Sequence, residues 1–242
     1  MIALVLAVLL VVDHQYIIPL IGGANGANSE SHYAIATMLN PTARTATVRR
    51  TALFPGDCAA MTKSWELAPH AKIDIGFPFD SNCTGIAALT MVSDEPLYVT
   101  GSILTFSLGP NFRFDRQFYD APQEWIEAGV DAATSGVSME EPPYRANLLV
   151  INPNPEPLIV EAHLTRPEYG ATRVDTFEVP PATVRLFAIV AVEDPGPFNP
   201  FPHIINGEHD IIVRGNRRFW AGVSSIDLYG GNTFRKVIPL EP

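Results

Sequence analysis

The chain is poor in the residues that most often carry chemistry. It has two cysteines, Cys58 and Cys83, and six scattered histidines in 242 residues. No C-x-x-C, H-E-x-x-H or EF-hand loop occurs, so there is no zinc-ribbon, zincin or calcium-hand signature. GGANGANSES (22–31) has the glycines of a phosphate loop, but no helical pattern and no lysine follow it. Basic residues number 16 against 26 acidic ones, and the net charge of −10 argues against nucleic acid and against a polybasic membrane contact. Helix signal is nearly absent, and only QEWIEAG (123–129) reads as one or two helical turns. One long hydrophobic run exists, MIALVLAVLLVV at 1–12. It is shorter than the roughly 20 residues of a membrane span and has the length of a signal-peptide core. No Lys or Arg precedes it and no clear small-x-small site follows. Residues 1–15 are therefore expected to be a hydrophobic leader for export, the alternative being a buried first strand.

What is present is β structure. Hydrophobic residues make up 47% of the chain, too many for disorder, and 22 prolines punctuate it. The chain is also written twice. Asn40-Pro41 returns as Asn152-Pro153, an offset of 152 − 40 = 112. Ala34/Ala146, Val48/Val160, Pro55/Pro167, Ala59/Ala171, Glu66/Glu178 and Pro69/Pro181 keep the same offset. Later pairs, Gly101/Gly222 and Gly109/Gly230, shift it to 222 − 101 = 121. Nine extra residues are thus placed between Ala188 and His209, around PGPFNPFP (195–202).

Each repeated block is a short run of β-branched and aromatic residues closed by proline, which has no N–H for a ladder. Val48, Arg50 and Ala52 alternate with Arg49, Thr51 and Leu53, and Leu158, Val160, Ala162 and Leu164 with Glu161, His163 and Thr165. Period-two patterning with one apolar face predicts half-buried antiparallel strands. The expectation is an all-β protein of two tandem antiparallel β-sandwich (Ig-like) domains related by internal duplication. Repeat 1 is placed at 16–115, an inter-domain linker or edge strand at 116–143, and repeat 2 at 144–242.

The motifs Y-I-I-P, L-N-P/I-N-P, L-A-P/V-P-P and Arg145-Ala146-Asn147-Leu148 through Asn152-Pro153 resemble a group of secreted bacterial proteins built from tandem β-sandwich repeats. The resemblance runs from Tyr16 onward. It implies fold and export, and carries no activity. RQFYDAP (116–122) departs from it, with Tyr-Asp where the other flanking strands have Ile-Ile or Val-Ile.

Candidate residues follow. Cys58 and Cys83 are expected to form a disulfide in exported protein, with two unpaired thiols as the alternative. Pro197, Phe198 and Phe201 of the insertion, with Trp220, form a candidate partner-contact loop. Phe219 and Trp220 are adjacent on a strand, so one must face away from its own core unless a neighbouring domain covers it. YIIPL and KVIPL, similar strands at opposite ends, make Ile17, Ile18, Val237 and Ile238 candidates for edge-strand pairing between subunits; the alternative is that both complete their own sheets. Glu66 and Glu178 read as outward strand residues, and Asn40 and Asn152 as turn formers. His209-Asp210 with Ser224 or Ser225 could be drawn as a triad, but no nucleophile elbow supports it. Asp80 and Asp94-Glu95 could hold a loop calcium ion.

These readings converge on an exported, non-enzymatic structural or adhesive protein at the cell surface or secreted, with no cofactor and no metal. Its partners would be other protein subunits or itself. A glycan- or protein-binding module using Phe198 and Phe201 is the alternative, and a hydrolase with an inter-domain site is the third.

Overall fold

The structure, a computed structural model, describes residues 13–25, 30–56, 58–75, 86–107, 113–121, 124–139, 146–167, 170–189, 207–226 and 232–240. It is all-β. The N-terminal half holds β1 (His14–Asn25), β2 (Glu30–Leu39), β3 (Ala46–Leu53), β4 (Met61–Leu67), β5 (Lys72–Ile75), β6 (Ile86–Ser93), β7 (Tyr98–Ser107) and β8 (Arg113–Asp120). The C-terminal half holds β9 (Asp131–Met139), β10 (Ala146–Asn152), β11 (Leu158–Arg166), β12 (Ala171–Val179), β13 (Thr183–Ile189), β14 (Gly207–Gly215), β15 (Trp220–Ile226), β16 (Asn232–Lys236) and β17 (Ile238–Pro239).

The two halves repeat one strand order. The C-terminal half is a sandwich of β12-β11-β14-β9-β17 against β13-β10-β15-β16. The N-terminal half runs β4-β3-β6-β1 and β5-β2-β7-β8 in the same order, joined into one eight-stranded sheet because β1 continues onto β2. Gly22, with φ 104°, stands where β1 leaves β6 for β2, a conformation that favours glycine. Cross-strand pairs also correspond. Ala46↔Leu67 matches Leu158↔Val179, and Leu39↔Lys72 matches Ile151↔Val184, both at the offset of 112. A bulge interrupts β1 against β6 between Ile18 and Ile21. The same irregularity interrupts β14 against β9, between His209 and Ile211.

Period-two burial separates the faces. Along β11, Leu158, Val160, Ala162, Leu164 and Arg166 point inward, while Glu161 and His163 are exposed. Each half has its own core. The first gathers Tyr16, Ile18, Ala36, Met38, Val48, Leu89 and Met91. The second gathers Leu148, Val150, Val160, Leu164, Ile211, Val213 and Phe219.

Asn40 and Asn152 do more than form turns. Both are fully buried. Asn40 Nδ2 donates to the carbonyls of Arg44, Leu67 and Ala68 at 2.7, 3.1 and 3.2 Å, and its Oδ1 accepts from Thr42 N–H at 3.0 Å. Asn152 Nδ2 donates to the carbonyls of Glu156, Val179 and Pro180 at 2.9, 3.1 and 2.8 Å, and its Oδ1 accepts from Asn154 N–H at 3.0 Å. One amide thus ties the end of its strand to the end of the next hairpin, satisfying backbone groups that no ladder reaches. His70 and Ala182, also 112 apart, both take positive φ in the turn beneath this clamp.

Three expectations are corrected. The late strands align one residue further on than the shared glycines suggest: Leu39↔Tyr98 corresponds to Ile151↔Trp220, so the offset is 220 − 98 = 122. Ten extra residues, not nine, therefore lie before β14. Tyr98 thus occupies the position of Trp220. Finally, residues 124–129 form no helix. Ile126 makes a bridge to Phe219, with N···O distances of 2.8 and 2.9 Å in the two directions. The ladder won because Ile126 is fully buried in the second core, where a strand-like segment fills the space beside β15.

Candidate functional site

The outer faces of the sheets carry the most informative geometry. Strands facing a core on one side expose alternate residues on the other. On β1, β3 and β6 those outward residues include Ile17, Leu53 and Ala88. On β10, β13 and β15 they include Leu149, Ile151, Val184 and Trp220. These seven side chains form a single buried cluster, with Trp125 and Ala182 packed against it. The two halves therefore meet face to face through a buried apolar seam. The Thr183 hydroxyl donates to the Phe54 carbonyl across it. At its margin the Arg218 guanidinium lies 5.5 Å from the Trp125 ring centroid and 3.1 Å from Glu127.

The seam explains the Phe219-Trp220 pair. Phe219 enters the second core and Trp220, on the opposite face, enters the seam. Trp220 is 2% exposed, so its expected place in a partner-contact loop is corrected: the first half of the same chain covers it. Pro197, Phe198 and Phe201 lie outside the described residues.

The edge-strand residues are corrected in the same way. β1 pairs with β6 through Tyr16, Ile17 and Ile18, and both isoleucines are fully buried, Ile17 in the seam and Ile18 in the core. Val237 belongs to the second core. Ile238 sits on the two-residue β17, which pairs with β9 and forms an edge of the five-stranded sheet; its side chain is 54% exposed.

Cys58 is half-buried against the first core and is not a free thiol. Cys83 and residues 1–12 of the leader expected at 1–15 lie outside the described residues; His14 and Gln15 belong to β1, paired with Ser93 and Val92. Glu66 and Glu178 are exposed, as an outward strand position requires.

The remaining candidates do not converge. His209 is fully buried and faces inward, so Asp210, its neighbour on the strand, faces the opposite side and cannot orient it. Asp94 Oδ1 accepts from Thr47 N–H at 2.7 Å, the same bracket that Asn216 makes with Ile159 N–H at 2.9 Å. Glu95 is paired with Arg44 at 2.6 Å. Both carboxylates thus have donors from the protein itself. Among the described residues no group of three His, Cys, Asp or Glu side chains gathers as a metal site would need.

A groove of about 440 Å³ opens on the outer face of the C-terminal half, lined by Ala128, Gly129, Ile159, Glu161, Arg214 and Asn216. Arg214 spans one wall and grips Asp131 with both ends of its fork, at 2.6 and 2.9 Å. That pairing occupies the guanidinium, while Glu161 lies 3.7 Å from the His163 ring on the same strand. Gly215 closes the floor. A Cβ there would stand 2.7 Å from the Phe219 ring, so the position excludes larger residues.

Elsewhere, burial sets the electrostatics. The Arg50 guanidinium lies 5.1 Å from the Trp65 ring centroid, and desolvation pushes its pKa down. Burial pushes the Tyr16 hydroxyl up, only partly offset by the hydrogen bond that Leu97 N–H donates to it at 2.7 Å.

No protein-family profile matches the chain. No curated protein matches it either. Among solved structures, the crystal structure of Thermotoga maritima 1070 is similar at 18% identity and a TM-score of 0.35, over 46% of this chain and 94% of that one.

Proposed function

We propose that this protein is an exported, non-enzymatic structural or adhesive protein that acts as a subunit of a surface or filamentous assembly. The observation that carries the reading is the seam: one β-sandwich docks on the next by a whole sheet face. A unit that stacks in this way within a chain is suited to stack between chains. The hydrophobic leader and the acidic net charge of −10 accord with an exported, soluble subunit. So does the resemblance to secreted tandem-sandwich proteins, which also favours duplication as the origin of the two halves. Linkage through end strands now rests on Ile238 alone, since Ile17, Ile18 and Val237 are buried within the chain.

Light scattering and negative-stain microscopy of the purified protein test the reading. Concentration-dependent species larger than one chain are expected. A strict monomer that binds on a glycan array would instead favour the module built on Phe198 and Phe201, and turnover in a broad hydrolase panel would favour an enzyme.

The same reading pairs Cys58 with Cys83 as a disulfide closing a loop of about 25 residues, worth about 3 kcal/mol on the chain-entropy account. Mass spectrometry of non-reduced, alkylated peptides is expected to recover the two cysteines in one cross-linked species. Recovery of both as alkylated thiols after oxidising expression refutes the pairing.

A further inference from the structure

Among the described residues, the repeat leaves two sheet faces that no other sheet covers. The seam joins the outer face of β1-β3-β6 in the first half to the outer face of β10-β13-β15 in the second. Two faces of the same kinds remain: the outer face of β2-β5-β7, and the outer face of β9-β11-β14. The register equivalences say what stands on them at each seam position. On the first free face Thr37 takes the place of Leu149, Leu39 of Ile151, Lys72 of Val184 and Tyr98 of Trp220. On the second, Ala133 takes the place of Ile17, Thr165 of Leu53 and Asp210 of Ala88.

Two of these replacements are complementary. Within the chain β13 packs on β6, and Val184 and Ala88 belong to one buried cluster. Their counterparts on the free faces are Lys72 and Asp210, of opposite charge. Trp220, the largest side chain of the seam, has an aromatic counterpart in Tyr98, which is 67% exposed. Tyr98 would lie where Ala133 and Thr165 replace Ile17 and Leu53. Among the described residues the other charge on the first free face is Asp74, 3.6 Å from Lys72 in an exposed pair; it corresponds to Leu186, which is itself 43% exposed at the rim of the seam, so Asp74 need not be buried and Lys72 is free to turn to Asp210 of the other copy.

We propose that a second copy of this chain docks its β2-β5-β7 face on the β9-β11-β14 face of the first, repeating the internal docking, with Lys72 of one copy against Asp210 of the other and Tyr98 as anchor. This rests on the assembly reading above and names its surface. The contact is heterologous and does not close on itself, so it propagates as a chain of subunits. Threonine, tyrosine and a charge pair in place of the apolar seam make it wetter and weaker than the internal joint. It is reversible and salt-sensitive, where the joint within the chain is permanent.

Sedimentation velocity over a concentration series, with the wild type, Lys72→Glu, Asp210→Lys, the double variant and Tyr98→Arg, tests it. The wild type is expected to associate more weakly as salt is raised. Each single charge reversal is expected to raise the dissociation constant at least about tenfold, and the double variant to recover it. Tyr98→Arg is expected to weaken association too, with thermal midpoints showing that all variants remain folded. Association unchanged by both single reversals overturns this surface while leaving the assembly reading standing. A wild type that stays monomeric at the highest concentration overturns both.

Discussion

Trp220→Ala is expected to cost about 3–5 kcal/mol of stability, as truncation of a fully enclosed large aromatic does. The indole fills the seam together with Ile17, Leu53, Leu149, Ile151 and Val184, contributed by both halves of the chain. Removing it leaves a cavity that two stiff sheet faces cannot collapse to fill. The matched control is Tyr98→Ala. Tyr98 occupies the same register position in the other half but is 67% exposed, so its loss is expected to change stability by no more than about 0.5 kcal/mol. Urea denaturation of the two variants against wild type reads the difference directly. Equal effects would mean that the halves do not rely on this seam.

The second large effect is expected at the asparagine clamps. Asn40→Ala and Asn152→Ala each remove an amide that donates to three carbonyls and accepts from the backbone N–H and the side chain of the residue two positions on, in a fully buried position. Leaving those groups without partners is expected to cost about 2–4 kcal/mol per clamp. Asn→Asp at either site is expected to cost at least as much, since a carboxylate brings only acceptors to a place where three carbonyls already accept. The two clamps have the same partners at the same spacings, so the two alanine variants should lower the urea midpoint to a similar degree. A loss below about 1 kcal/mol at either would show that water replaces the amide there.

Much of the fold was legible because the signals are local. Proline after Asn40, Asn152, Phe54 and Val179 marks the ends of runs whether or not the partner strand is known. The alternation in β3 and β11 states which side chains share a face. The adjacency of Phe219 and Trp220 already required that one of them leave the core. The late-strand register was not legible. Two glycine pairs align at 121, but glycine marks no face, whereas the pairing of Leu39 with Tyr98 and of Ile151 with Trp220 sets the offset at 122. With a period of two, that single residue exchanges inside for outside. An offset of 121 sets exposed Tyr98 against core Phe219, whereas 122 relates Tyr98 to Trp220. The edge strands failed for a related reason. YIIPL and KVIPL look alike in composition, but β1 lies inside its sheet and Val237 points into a core, and neither fact is a property of five residues.

By itself, then, the sequence determined the all-β class, the repeat, the strand blocks and the alternation of faces, because each depends on backbone propensities and on spacing within a few residues. Only the tertiary structure decided which outward faces are used. Ile17, Leu53, Leu149 and Trp220 are outward residues within their own sandwiches, more apolar than Ala133, Thr165, Thr37 and Tyr98 at the same positions in the other half, but that difference does not say which face each would meet. What separates them is that the halves meet on one pair of faces and leave the other pair open. That choice depends on apolar area brought together from strands far apart in the chain, and on water expelled only once both sheets have formed.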